Sequence, residues 1–203
     1  IRAADPQVRI FLGGLAYDYF ITDNGPFYQG FLADVLRAGG APYFDYVNFH
    51  YYPQNIHWPT FPDKINEIRG ILTAAKVSKP IVCTETGLTT STNPDYRSPG
   101  MAANGPEQQA RWLVQVHTQG FANGLQMMTW FPIQDFHTDI PGYQIFTEAG
   151  LLRLDGSPKP AYAAYQTLVH ELGDAPVGRI ISSPPAALEV YEFSRPDGRL
   201  WIA

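Results

Sequence analysis

Strand-like and helix-like stretches alternate four times along this chain, and each strand-like stretch is apolar on both faces. VRIFLGGLA (8–16), FDYVNFHYY (44–52), PIVCTETGL (80–88) and GLQMMTWFPI (124–133) read as strands. Between and after them, GPFYQGFLADVLRAGG (25–40), FPDKINEIRGILTAAKV (61–77), GPEQQARWLVQVHTQGFANG (105–124) and AYAAYQTLVHELG (161–173) carry apolar residues at helical spacing. A strand with two apolar faces has to be covered on both, and a parallel sheet under helices does this. The two common solutions are the doubly wound sheet and the barrel. No Gly-x-Gly-x-x-Gly opens a helix, so a dinucleotide site has no support. Polar and aromatic residues instead recur just past the C-terminal end of every strand: Tyr17-Asp18, His50 with Tyr52, Glu85, and Trp130 with Gln134-Asp135. In a barrel these positions converge on one mouth, where barrel enzymes keep their sites. The expected fold is therefore α/β, half of a TIM (β/α)8 barrel with four βα units over residues 1–174. Residues 175–203 are expected to begin a small β-domain or an appended hairpin, turned at Pro196-Asp197-Gly198.

Composition removes several function classes. Hydrophobic residues make up 45% of the 203 and charged ones 16%, which suits a folded domain with a sizeable core. The net charge of -5 comes without a basic cluster, so nucleic acid is not expected as a partner. No apolar run approaches the ~20 residues of a membrane span, so no membrane partner is expected either. Cys83 is the single cysteine and excludes an internal disulfide and a multi-cysteine metal site. No cofactor is expected. Aromatic residues reach 14%, and many fall in loop-like stretches such as YDYF, HYYPQNIHW and TWFPIQDF, where they suit a groove that stacks flat ligands. The chain opens on IRAADP, which reads as the end of a helix, and breaks off in VYEFSRPDGRLWIA inside a hairpin, so it is expected to be part of something larger.

Glu85 is the one charge in PIVCTETGL. A carboxylate at the mouth of a buried strand is costly unless it is paired or put to use. Strict alternation places Ile81, Cys83 and Glu85 on one face and Val82 and Thr84 on the other. The ordinary alternative for Glu85 is a cap on the following loop through the amides of Thr86 or Gly87. His50 could equally be a hydrogen-bonded core histidine, and Trp130 a packing residue. His117 and His170 fall in helices and read as surface or packing residues. His137 with Asp135 and Asp139 has a metal-like composition, but its spacing in a loop is weak evidence for a site.

Taken together and in chain order, AADPQVRIFLGGLA (3–16), HYY (50–52), TETG (84–87), TW (129–130) and GLLRLDGSPKPAYAAY (150–165) resemble the retaining glycoside hydrolases of clan A, which are built on an eight-fold barrel. The resemblance covers about residues 1–172 and implies the C-terminal half of the catalytic barrel, strands five to eight. It implies Glu85 as the nucleophile that forms a glycosyl-enzyme on a β-linked sugar. It also implies that Tyr52 hydrogen-bonds that carboxylate, that His50 binds sugar hydroxyls or orients the other acid, and that Trp130 stacks on the ring. Gln134, Asp135 and Asp18 join them as candidate substrate-binding residues. Retaining hydrolysis needs a second carboxyl group ~5 Å from the first. The family's proton donor is a Glu following an Asn at the end of the fourth strand, which is expected to lie outside this chain. Asn66-Glu67 falls inside a predicted surface helix, between Lys64 and Arg69, and reads as solvated helix charge.

The expected partner is a carbohydrate substrate. A half-barrel also leaves the edges of its first and last strands open. Either a missing N-terminal half or a second copy of the chain, forming a homodimer, is expected to close it. The competing expectation is a half-barrel that binds carbohydrate at most and catalyses little.

Overall fold

The computed structural model describes residues 1–16, 20–52, 60–93, 105–138, 140, 143, 146–173, 177–182 and 189–203. The fold is mixed α/β. Its first sheet is parallel, with β1 (Val47–Tyr51), β2 (Ile81–Thr86) and β3 (Met128–Trp130) side by side in chain order. Helices α1 (Phe31–Arg37), α2 (Phe61–Ala74) and α3 (Pro106–Ala122) fall between the tracks of this sheet, and α4 (Pro160–Leu172) follows it.

The stretch 8–16 is not a continuous strand. It touches β1 through two isolated parallel bridges, Phe11 to Tyr46 and Leu15 to Phe49. Gly13 and Gly14 sit between those bridges and offer the sheet no side chains to pack, which weakens a strand interior. The segment is nevertheless held alongside. Leu12 and Leu15 donate their amides to the carbonyls of Tyr46 and Asn48, and His50 donates back to Leu15. The Asp45 carboxylate accepts the Ile10 amide at 2.8 Å and pairs with Arg2 at 3.0 Å. β3 is also shorter than the stretch 124–133, because Pro132 has no amide to continue the ladder.

The helices start where the sequence places their prolines. Thr60 caps α2 by accepting the Asp63 amide while Asp63 returns a bond to Thr60, a reciprocal cap worth ~1 kcal/mol. Pro62, Pro106 and Pro160 occupy first-turn positions, where a missing amide costs nothing. Phe61, Ile65, Ile68 and Leu72 of α2 form the buried stripe of that helix and join Val47, Phe49, Tyr51, Ile81 and Cys83 in one apolar cluster. A second cluster gathers Leu113, Trp130, Leu151, Leu168 and Leu172. Into it fit Tyr191 and Phe193 of a second sheet, the antiparallel β4 (Val177–Ser182), β5 (Val190–Arg195) and β6 (Gly198–Ile202). No helix among the described residues is long and apolar enough to cross a membrane.

Lys64 lies on the covered side of α2. It is 4% exposed rather than solvated, its ammonium lies 3.0 Å from Glu67, and it sits over the Phe20 ring. Asn66-Glu67 thus serves α2 itself.

Candidate active site

The C-terminal ends of β1 and β2 bring Glu85, Tyr52 and His50 together. The Tyr52 hydroxyl donates to Glu85 Oε1, and His50 Nδ1 lies 3.1 Å from Glu85 Oε2. Each carboxylate oxygen therefore has its own polar neighbour, and the group remains about a quarter exposed, with 24% of its side chain accessible. Behind it, Asn48 Oδ1 accepts both the amide and the hydroxyl of Thr84, and that hydroxyl lies 3.4 Å from His50 Nε2. Asn48 and Thr84 form a polar floor that the sequence reading missed.

A bulge delivers Glu85 to this place. Phe49 pairs with Cys83 but His50 pairs with Glu85, so β2 spends one extra residue, Thr84, against β1. An extra residue reverses the alternation beyond it and re-aims the following side chains. Cys83 packs in the helix-side cluster with Phe49 and Ile65, whereas Thr84 and Glu85 both meet the polar residues of β1. The expected sharing of a face by Cys83 and Glu85 is thus corrected. Strict alternation would have sent the carboxylate into the apolar layer. Cys83 is fully buried there, and burial pushes its thiol up to about 12, which rules out a thiolate nucleophile near neutral pH.

Two glycines fit the neighbouring backbone around the site. A Cβ on Gly14 would lie 2.3 Å from His50 Nε2, so the imidazole occupies the space a side chain would need. A Cβ on Gly87 would lie 2.2 Å from the Phe131 carbonyl, and the Phe131 amide donates to Thr86 at 2.8 Å.

Other expected site residues are placed elsewhere. Trp130 is 3% exposed; its indole N–H donates to the Ala149 carbonyl at 2.9 Å, and its ring packs beside Trp112 and His117. It is a core residue and presents no platform to a sugar. Asp135 is 8% exposed, with Oδ1 accepting from Lys159 Nζ at 2.7 Å and from the Gly150 amide at 2.8 Å. Its charge is spent on this ion pair, so it is not available to a substrate. Desolvation depresses the Lys159 ammonium, with Asp135 pulling the other way. Gln134 is exposed and its amide donates to the carbonyls of Arg153 and Leu154, where it braces a turn. Asp18, Asp139 and His57 lie outside the described residues. Among the described residues no cluster of three His, Cys, Asp or Glu is arranged to hold a metal.

An aromatic cluster runs on from Tyr52 instead. Phe146 packs edge-on against Tyr52 at 4.8 Å, and Phe131 and Tyr143 each meet Phe146 at 5.9 Å. Phe131 and Tyr143 are 36% and 53% exposed. Strand parity was the available signal: Met128 and Trp130 are buried while Thr129 and Phe131 are exposed, so the residue after the tryptophan is the one turned to solvent.

No protein-family profile matches the chain, and no curated protein matches it. Solved structures do. A family 39 glycoside hydrolase from the gut symbiont Bacteroides cellulosilyticus aligns with 84% of this chain and 36% of its own, at TM-score 0.60 and 21% identity. A GH2 β-galacturonidase from Eisenbergiella tayi aligns with 64% of this chain and 24% of its own, at TM-score 0.52 and 20% identity. The fold is similar to part of known glycoside hydrolases. A β-glucuronidase from Lactobacillus rhamnosus extends the likeness, over 84% of this chain and 28% of its own, at TM-score 0.52 and 20% identity. At these identities the likeness is one of fold alone, and this chain spans well under half the length of each of the three.

Proposed function

We propose that this chain is the C-terminal half of an eight-fold β/α barrel of a retaining glycoside hydrolase acting on a β-linked sugar, with Glu85 as the nucleophile. The observation that carries the reading is the setting of Glu85: a half-buried strand-end carboxylate with Tyr52 on one oxygen and His50 on the other. In the first step a Glu85 oxygen bonds to the anomeric carbon as the bond to the leaving-group oxygen breaks. A general acid gives that oxygen a proton. In the second step water, deprotonated by the same group, attacks the anomeric carbon and releases Glu85. Tyr52 and His50 fix the direction of the attacking lone pair, and Phe131 and Tyr143 offer aromatic surface to the ring. The general acid is assigned to a segment beyond this chain. Asp135 is committed to Lys159 and Glu67 to Lys64; of the other loop acids Asp18, Asp139 and Glu148, the first two lie outside the described residues, and none of the three stands at the family's proton-donor position. The four parallel tracks in chain order support the half-barrel.

A test should not depend on the acid. A 2-deoxy-2-fluoro-β-glycoside with a 2,4-dinitrophenolate leaving group needs no proton donor and traps the glycosyl-enzyme. Offered as gluco, galacto and glucurono forms, at least one should add the mass of one fluoro-sugar to the peptide spanning 80–88. Glu85→Gln should abolish that addition. Labelling on another residue, or none with all three sugars, ends the assignment. Among the described residues β3 is an edge of the parallel sheet, paired with β2, and Phe11 on the other flank is 38% exposed, which favours a second reading, a non-catalytic half-barrel that pairs as a homodimer. A dimeric mass in solution together with absent labelling would select it.

A further inference from the structure

The second sheet carries a built cluster on the face turned away from the core. Tyr191 and Phe193 of β5 point into the apolar cluster under α3 and α4, so the alternate residue Glu192 belongs to the outer face. Its cross-strand neighbours are Arg179 on β4 and Trp201 on β6. An outward carboxylate is ordinarily exposed, yet the Glu192 side chain is only 5% accessible, because three longer side chains lie over it. Arg179 donates from Nε at 2.9 Å to Oε1, with its NH2 nitrogen 2.8 Å from the same oxygen. The Trp201 indole N–H donates to Oε2 at 2.8 Å, and Arg199 reaches Oε2 at 3.3 Å. These donors hold the Glu192 carboxyl below the usual carboxylate range, the Trp201 indole first and Arg179 next.

The covering groups are themselves open to solvent. Arg179 and Arg199 are 67% and 64% accessible, and Trp201 is 65% exposed. Glu192 thus fixes three exposed side chains in place without blocking them. Two guanidiniums against one carboxylate leave one positive charge on the face of a chain whose net charge is -5. NH1 of Arg179 and NH2 of Arg199 have no partner among the described residues. The indole N–H is occupied by Glu192, which leaves the flat apolar ring as the part of Trp201 a ligand can use. β4 and β6 flank β5, so Arg179 and Trp201 stand two strand spacings apart, about 10 Å, and Arg199 stands two residues, about 7 Å, from Trp201 along β6.

We propose that this face binds an acidic sugar unit, a uronate residue of an oligo- or polysaccharide, with the Trp201 ring against the pyranose and Arg179 and Arg199 on its carboxylate. The chemistry selects among ligands. A neutral sugar would use the indole but leave the surplus guanidinium uncompensated. A bare phosphate would satisfy the guanidiniums but leave the indole idle. A uronate supplies a planar carboxylate for an arginine fork and a flat C–H face for an aromatic ring, both within the span the strands set. The site lies apart from Glu85, goes beyond the hydrolase reading and does not depend on it.

Titration calorimetry of the full chain with tetragalacturonate, a neutral cello-oligosaccharide of equal length, and tripolyphosphate tests this. Tetragalacturonate should bind saturably, weaken with added salt, and bind at least about tenfold more tightly than the other two. Trp201→Ala and Arg179→Gln should each weaken it about tenfold or more, and Arg199→Gln in the same direction, with far-ultraviolet dichroism unchanged. Glu85→Gln should leave it intact, which separates this site from the candidate active site. Absence of saturable binding overturns the proposal. So does equal binding of the neutral sugar or of tripolyphosphate, or tetragalacturonate affinity unmoved by the Trp201 and Arg179 substitutions.

Discussion

Glu85 stands at the edge of a buried layer with both of its oxygens engaged and neither sealed. A buried acceptor with no donor costs about 1–3 kcal/mol, and Tyr52 removes that cost for Oε1 while His50 stands at Oε2. The same two groups align the lone pairs that the proposed attack requires. Tyr52→Phe therefore removes a hydrogen bond to a charged group and leaves the ring's contact with Phe146 in place. Trapping by the fluoro-sugar should slow about 10- to 100-fold in this variant, read as the rate of mass addition, with little change in thermal stability. An unchanged rate would reduce Tyr52 to a packing residue.

At the scale of elements, two loops are stitched together behind the site. Lys159 at the head of α4 reaches Asp135 after β3, Thr90 after β2, and the Glu148 carbonyl at 2.8 Å. Gln109 of α3 adds bonds to the carbonyls of Leu88, Ala149 and Gly150. Asp135→Asn leaves a buried ammonium without its counter-charge and should cost ~3–5 kcal/mol in urea unfolding. Adding Lys159→Met to that variant should restore part of the loss, so the double substitution costs clearly less than the sum of the singles. Additive costs would show that the pair is not coupled. This stitching explains why part of the site was legible in the sequence and part was not. The prolines at 62, 106 and 160 and the Thr60–Asp63 cap are local signals, and the helices begin where they say. Strand ends placed Glu85, His50 and Tyr52 at one mouth, and the family resemblance implied the bond from Tyr52 to Glu85. The fate of Asp135 hangs on a lysine 24 residues away, and local pattern carries no record of that pairing. The bulge at Thr84 leaves no glycine to betray it, so alternation assigned Glu85 to the wrong face. Trp130 is a candidate through its strand end and the family resemblance, against a parity that the buried Met128 two positions earlier shares.

Across the whole molecule, the seam between the two sheets is closed by α3, and His117 sits at its centre. It is 2% exposed, packed against Trp130, Tyr165 and Phe121, with Nδ1 donating to the Leu113 carbonyl at 2.8 Å. Burial pulls its imidazole down to about 4, from an ordinary 6.5. The sign follows from where protons bind. Between these two values the unfolded chain takes up a proton at this histidine and the folded chain does not, so acid favours unfolding. The contribution is fully present above the unfolded value, and it is lost as pH falls from about 6.5 towards 4. Over pH 7.5 to 5 this one residue should withdraw about 2 kcal/mol of stability. Urea titrations at those two pH values read the loss directly. In His117→Gln, which keeps a polar side chain of similar reach but cannot titrate, the difference between the two titrations should shrink by that amount even if the variant is less stable at both. An undiminished difference would place the acid sensitivity elsewhere, in the carboxylates, and would remove His117 from the seam's response to pH.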